Sequence, residues 1–375
     1  MHRSLILAPA TLGDSVASQP LVEVLARQGQ VVSVAATPLV APVYRAMGKA
    51  VAEVVEVPFL HGRRLHLGAR RDLGIQWRRL FDVAYCLSPS VHPALIAWFA
   101  QVPRRVGYPV GLQSLLLNQP LRREPLERSA AARFLALAAV GSEGDTHPRL
   151  ERPAGQVEAT CARHSLSVHG YWVIVPGAQE PSRAWPAAHY ARLARELHEA
   201  APAPVVLLGS ADEADLAEHI AAQCPEVDWR QLSGRTSLNH ALDLLAGARA
   251  VLGNDSGPIH LAAALGRPQV SLFGPTDPTR WAPVSAQTHT LWARDGGDLP
   301  CAPCERSQCR TGDLRCMQEL APQKVLNTLL QAAQRDEANR LTGSSRLSVV
   351  APGHATAAGD AVHGAVPAQP VAAAH

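Results

Sequence analysis

The sequence predicts an α/β protein built from two doubly wound parallel-sheet units, and three observations carry that expectation. Short apolar runs of strand length alternate with segments of helical period along most of the chain. Turns rich in glycine, aspartate and proline fall where those runs end, as the βαβ units of a parallel sheet require. The alternation fades over residues 143–167 and then resumes without visible sequence repeat, so two units of similar architecture are expected to face each other across a cleft. The chain's 375 residues suffice for two full cores at roughly 150 residues each.

In order, residues 5–8 read as a buried strand that runs through Pro9 to Asp14 into a helix over 15–27. Gly13 permits a tight turn, and Asp14 falls at the helix start, where a carboxylate is a normal cap. A strand at 31–35, a helix at 41–47 and strands at 54–57 and 82–87 follow, with an arginine-rich segment before the last. Beyond the expected linker come a strand at 171–175, the turn PGAQEPSRAWP, a helix over 187–199 and a strand at 205–208. Residues 232–234 and a helix over Leu238–Ala246 lead to the most concentrated motif, AVLGNDSGPIHLAAALGRPQVSLFGPTDP at 250–278.

That motif reads as strand, turn, helix and strand. The turn supplies glycine, aspartate and serine at a helix N-terminus, whose free N–H groups and dipole favour an anion. A last helix is expected over 322–340, and residues 342–375 are too poor in large apolar side chains to order themselves.

Composition narrows the function. With 47% hydrophobic and 18% charged residues and a mean hydropathy of -0.02, the chain resembles an ordinary globular protein. It contains no apolar run of the about 18 residues needed to span a bilayer and no signal-peptide pattern, so a cytoplasmic location is expected. The net charge of +3 is uneven, with +6 on residues 1–159 and −3 on the remainder. Arg63, Arg64, Arg70, Arg71, Arg78 and Arg79 face only Asp72 between positions 61 and 81, which suits an anionic ligand or a solvated basic face. Cys301, Cys304, Cys309 and Cys316 share one loop, leaving structural zinc, free thiols and disulfides all open.

PATLGDSVASQP, PGAQEPSRAWP and GNDSGPIHLAAALGRPQVSLFGPTDPTRW, in that order and spacing, resemble the lipopolysaccharide heptosyltransferases of glycosyltransferase family 9, most of all the heptosyltransferase II branch. The resemblance covers residues 3–335 and implies a GT-B fold, two Rossmann-like domains with the active site between them. It divides the chain into an acceptor-binding domain (1–160), a nucleotide-sugar-binding domain (161–341) and the tail. It implies metal-independent, inverting transfer of heptose from ADP-L-glycero-D-manno-heptose to the lipid A inner core, with addition of the second heptose, at the cytoplasmic face of the inner membrane.

Residue by residue, the resemblance makes Asp14 the catalytic base. Asp255, Ser256, Gly257, Pro258 and His260 fall in the donor site, Glu213 at the donor ribose and Thr236 at the adenine. Arg183 stands where the family commonly has lysine, beside the donor diphosphate or heptose. Arg63, Arg64, Arg70 and Arg71 fit a phosphorylated, acidic-sugar acceptor. No cofactor is required, the cysteine loop being the one candidate for structural zinc. Alternatives are a different core acceptor or sugar, as in heptosyltransferases I and III, an epimerase, or a zinc and nucleic-acid module, for which no recognised nucleic-acid-binding signature is present.

Overall fold

The computed structural model describes residues 2–121, 129–138, 145–296 and 299–342. The first sheet contains β1 (Arg3–Leu7), β2 (Val31–Ala36), β3 (Glu53–Glu56), β4 (Val83–Cys86), β5 (Arg104–Gly107) and β6 (Gln119–Pro120), all parallel, in the order β3-β2-β1-β4-β5-β6. The second contains β7 (Trp172–Val175), β8 (Val205–Leu207), β9 (Trp229–Gln231), β10 (Ala250–Asn254), β11 (Gln269–Phe273) and β12 (Thr288–Trp292), also parallel, in the order β12-β11-β10-β7-β8-β9. Counted from its own first strand, each sheet has the doubly wound order 3-2-1-4-5-6, with the winding direction reversing between β1 and β4 and between β7 and β10.

The central strands are apolar because helices cover both faces of each sheet. Leu5, Ile6 and Leu7 in β1 and Val251 and Leu252 in β10 are all 0% exposed. Register places Ile6 between Val34 and Tyr85, and Leu252 between Ile174 and Val270.

Three sequence expectations change. The helix expected over 15–27 is two helices, Leu12–Ala17 and Gln19–Arg27, because Pro20 has no N–H to continue the ladder. The strand β9 lies just ahead of residues 232–234, and β5, β6 and β12 are strands that the sequence pattern does not mark. Finally, the expected linker includes the helix Ala154–Arg163, where Thr160 Oγ1 donates to Asp243 of the helix Leu238–Ala246 at 2.8 Å. A boundary at residue 160 falls inside that helix; the break belongs ahead of it. The tail beyond Thr342, expected to be disordered, lies outside the described residues.

The crossing itself is tightly held. Arg149 N–H and Glu151 N–H donate to Gln19 and Ala46 of the first unit at 3.1 and 2.7 Å. Leu150 N–H donates to Ala264, and Arg152 pairs with Asp243, in the second unit at 2.9 and 2.7 Å. Alternate residues thus grip opposite units, and this brings the helix Leu12–Ala17 against the helix Gly257–Ala264.

Candidate functional site

The site forms where the carboxyl ends of the two sheets meet, the position at which doubly wound sheets bind ligands. From the first unit comes the turn after β1. Thr11, rather than Asp14, is the N-cap: its hydroxyl accepts from Asp14 N–H at 3.2 Å and donates to Asp14 Oδ2 at 2.8 Å. Asp14 therefore keeps a fixed, half-buried carboxylate on the first helical turn.

Opposite it stands His260, on the helix Gly257–Ala264. Burial pushes its imidazole down to about 4, and the Asp14 carboxylate acts in the opposite direction, so the two groups share one electrostatic environment. Gly13 lies in van der Waals range of this imidazole, a Cβ there falling 3.4 Å from His260 Cδ2. Gly257 is tighter still: a Cβ would lie 2.8 Å from Leu12 Cβ.

Three loops of the second unit surround the same point. Ser256 caps the helix Gly257–Ala264 in extended conformation without a side-chain cap bond, and Pro258 lies in its first turn. Arg183, in the loop after β7, meets Asp255 after β10 at 3.1 Å and Glu180 at 3.5 Å. Burial raises the pKa of the Asp255 carboxyl, and the Arg183 guanidinium opposes that shift. Thr276, in the turn after β11, is 1% exposed.

Among the described residues, Ser256 Oγ and Arg183 Nε are buried polar atoms with no hydrogen-bond partner, while the Thr276 hydroxyl is turned to Asp255 and helps Arg183 oppose the rise of the aspartate's pKa. Such groups are costly unless something else satisfies them. Together with the helix N-terminus they make a cradle for an anionic oxygen-rich group. Thr276 is the residue that sequence reasoning missed; its only signal was its place in the turn after the second strand of the motif.

The remaining expected donor residues continue along the sheet edge. Glu213 follows β8, where Oε2 accepts from Ser210 N–H at 2.6 Å in a capping box, and its carboxylate crowds Gly177 after β7. Thr236 is half-buried beyond β9. Arg183, Glu213 and Thr236 thus follow neighbouring strands β7, β8 and β9, an extended track leading away from Asp14.

The arginine segment separates into two kinds. Arg63, Arg64 and Arg71 are exposed at the rim of the first unit. Arg70 is 0% exposed; it donates to the carbonyls of Phe59 and His92 and stacks on the Phe59 ring. Unlike its exposed neighbours, Arg70 is packed between the helices Leu67–Gln76 and Val91–Phe99, with only Nη1 left without a partner among the described residues.

The four loop cysteines are free thiols: Cys301 is exposed, Cys304 and Cys309 are half-buried, and Cys316 is buried, its pKa pushed up to about 11. Among the described residues no three His, Cys, Asp or Glu side chains are placed to hold a metal, although Cys301, Cys304 and Cys309 lie near enough to Cys316 to add to the rise that burial gives its pKa. The loop braces the site. Cys304 and Glu305 N–H donate to Pro275 O at 3.0 and 2.9 Å, and Ser182 Oγ donates to Arg306 O at 2.6 Å.

Two doubly wound units with an anion cradle on one and a carboxylate on the other define the GT-B class of glycosyltransferase. The model of glycosyltransferase family 9 (heptosyltransferase) matches residues 70–314, and the chain belongs to that family. It is 32% identical over 355 residues to lipopolysaccharide heptosyltransferase 2 of Escherichia coli (strain K12), covering 89% of this chain and 99% of the relative. The solved structure of E. coli ADP-heptose LPS heptosyltransferase II superposes with a TM-score of 0.76 at 29% identity, covering 90% and 100% of the two chains. E. coli heptosyltransferase WaaC with ADP shares the fold, with a TM-score of 0.67 at 19% identity over 88% and 99%.

Proposed function

We propose that this chain transfers heptose from ADP-L-glycero-D-manno-heptose to the lipid A inner core in lipopolysaccharide biosynthesis, adding the second heptose. The observation that carries the reading is the approach of the helix bearing Asp14 to the helix Gly257–Ala264, where Asp14 acts on His260, beside the cradle of Arg183 and Ser256. A carboxylate facing an anion site across a cleft is what a single inverting displacement needs.

In that displacement Asp14 takes the proton of the acceptor hydroxyl as its oxygen attacks the anomeric carbon. The bond to the ADP oxygen breaks with its electron pair, and the developing charge rests on Arg183, the Ser256 hydroxyl and the first N–H groups of the helix Gly257–Ala264. Glu213 and Thr236 take the ribose and adenine along the track described above. No step in this scheme calls on a metal or other cofactor. The zinc and nucleic-acid reading is not favoured, because heptosyltransferase relatives match the chain over most of its length.

A lipid-linked acceptor also requires approach to the cytoplasmic face of the inner membrane. Among the described residues no helix is long and apolar enough to cross a membrane. The first unit's rim does expose Leu65, Leu67, Leu112 and Leu115, the last two 69% and 79% exposed, beside Arg63, Arg64 and Arg71. The helix Val91–Phe99 lies against both groups: Arg70 donates to His92 O, and Gln113, between Leu112 and Leu115, donates to Ser88 O just ahead of the helix. Apolar tips among cations fit peripheral contact with an anionic bilayer.

The test is incubation of the purified chain with ADP-heptose and a core acceptor ending in one heptose, following ADP release and acceptor mass. Stoichiometric ADP and a one-heptose mass increase are expected; no product with any core acceptor overturns the reading.

A further inference from the structure

Asn254, the last residue of β10, is 0% exposed, and every hydrogen-bonding position of its side-chain amide is used. Oδ1 accepts from the Trp185 backbone N–H at 3.1 Å and from the Tyr190 hydroxyl at 3.0 Å. Nδ2 donates to the carbonyls of Pro176 and Gly177 at 2.8 and 3.2 Å. Pro176 and Gly177 open the loop that leaves β7, and Trp185 closes it. One side chain therefore pins both ends of the loop carrying Arg183.

The next residue in the chain, Asp255, meets Arg183 at 3.1 Å. Gly177, held by the same amide, is also where the Glu213 carboxylate lies: a Cβ at that position would fall 1.7 Å from Glu213 Oε1. The buried amide thus ties the β7 loop to the end of β10, and Gly177 carries the contact on to the turn after β8.

We infer that Asn254 is a positioning residue of the donor site: it fixes the register between the β7 loop and the β10 turn, and with it the spacing of Arg183 from Ser256. The inference rests on the donor reading above. The chemistry demands an amide, because one end of the side chain must accept from an N–H while the other donates to two carbonyls. An ionised aspartate of the same shape turns an anionic oxygen toward those carbonyls. Burial favours its neutral acid, which regains one donated bond.

The experiment is calorimetric titration of the full chain with ADP at pH 8 and pH 6, with melting temperatures recorded alongside. Asn254→Asp is expected to weaken ADP binding at pH 8 by about 10- to 30-fold, the scale of one or two broken buried hydrogen bonds. The deficit narrows at pH 6, while the unaltered chain shows no such recovery. Asn254→Ser, whose hydroxyl spans only one side of the network, shows the weakening without the recovery, and serves if the aspartate variant folds poorly. Tyr190→Phe removes one bond to the same amide without freeing either end of the loop; it lowers the melting temperature but changes ADP affinity less than about threefold. Unchanged ADP binding in Asn254→Asp or Asn254→Ser overturns the inference, as does equal weakening in Tyr190→Phe. Failure of the unaltered chain to bind ADP overturns the donor reading, and the inference with it.

Discussion

Arg183 and Asp255 meet at 3.1 Å across the reversal point between β7 and β10, with the arginine side chain 25% exposed and the aspartate 7%. Glu180, at 3.5 Å, faces the other terminal nitrogen, and Arg183 Nε is left buried and without a partner among the described residues. An anchored guanidinium with one N–H still unspent can meet an anionic oxygen without giving up its carboxylates, which is why the fork of arginine serves here. Arg183→Lys should retain the charge but lose the second contact, raising the donor KM about tenfold; Arg183→Ala should raise it further and strand a buried carboxylate. Steady-state kinetics with varied ADP-heptose checks both, and an unchanged KM in Arg183→Ala would remove Arg183 from the donor site.

Asp14 is held by Thr11 on one carboxylate oxygen at 2.8 Å, so its loss separates chemistry from capping. Asp14→Asn keeps the shape and the helix start. Turnover should fall by at least about 100-fold, the usual scale for a general base, with the ADP dissociation constant within a few fold of the original. Single-turnover assays beside ADP titration distinguish the two; near-normal turnover would reduce Asp14 to a structural role.

The parts of this site legible in the sequence are those made by local chemistry. Gly13, Asp14, Ser256, Gly257 and Pro258 sit in turns whose conformation and anion affinity follow from neighbouring residues. What was not legible depends on partners distant in sequence. Asn254 draws its ligands from 64 to 78 positions away, and Thr276 matters only because β11 lies next to β10. Arg70 looked like its exposed neighbours until the packing of two helices buried it. The edge strands β6 and β12 are respectively two residues long and only partly buried, leaving weak periodicity to read.

The exposed leucines of the rim make a separable prediction. Leu112→Ser with Leu115→Ser should weaken co-sedimentation with phosphatidylglycerol-containing vesicles by about tenfold or more, since each fully withdrawn leucine is worth roughly 1.5–3 kcal/mol. Activity on a deacylated, water-soluble acceptor should stay the same. Equal binding of the altered and unaltered chains would dismiss the patch as a membrane contact.

Protonation of buried histidines should destabilise the fold in mild acid. His169 Nδ1 accepts from Arg267 Nη1 at 3.0 Å, and burial, then the Arg267 charge, lower its pKa from 6.5 to about 4. The folded value lies below the unfolded one, so the stabilisation is fully present above pH 6.5 and is lost as pH falls through the interval down to about 4. His260 titrates over the same interval. Melting temperature should drop between pH 6.5 and 4, and His169→Gln should make that drop shallower; identical slopes would mean that other groups control acid stability.

The last prediction concerns the approach of the two units. Gly257 allows the helix Gly257–Ala264 to lie against the helix Leu12–Ala17, and a Cβ at Gly257 would stand 2.8 Å from Leu12 Cβ, closer than backbone-fixed carbons tolerate. Gly257→Ala should therefore force the helices apart by a few tenths of an ångström, displacing Asp14 from the cradle. Turnover should fall about 100-fold, the sensitivity expected when reacting groups are mispositioned, whereas ADP affinity should fall much less. Leu12→Gly removes the opposing carbon, so the double variant should recover part of the lost turnover even though Leu12→Gly alone is harmful. That non-additivity, measured as a double-mutant cycle, identifies the spacing between units as the cause; additive losses would show that Gly257 acts on the donor turn alone.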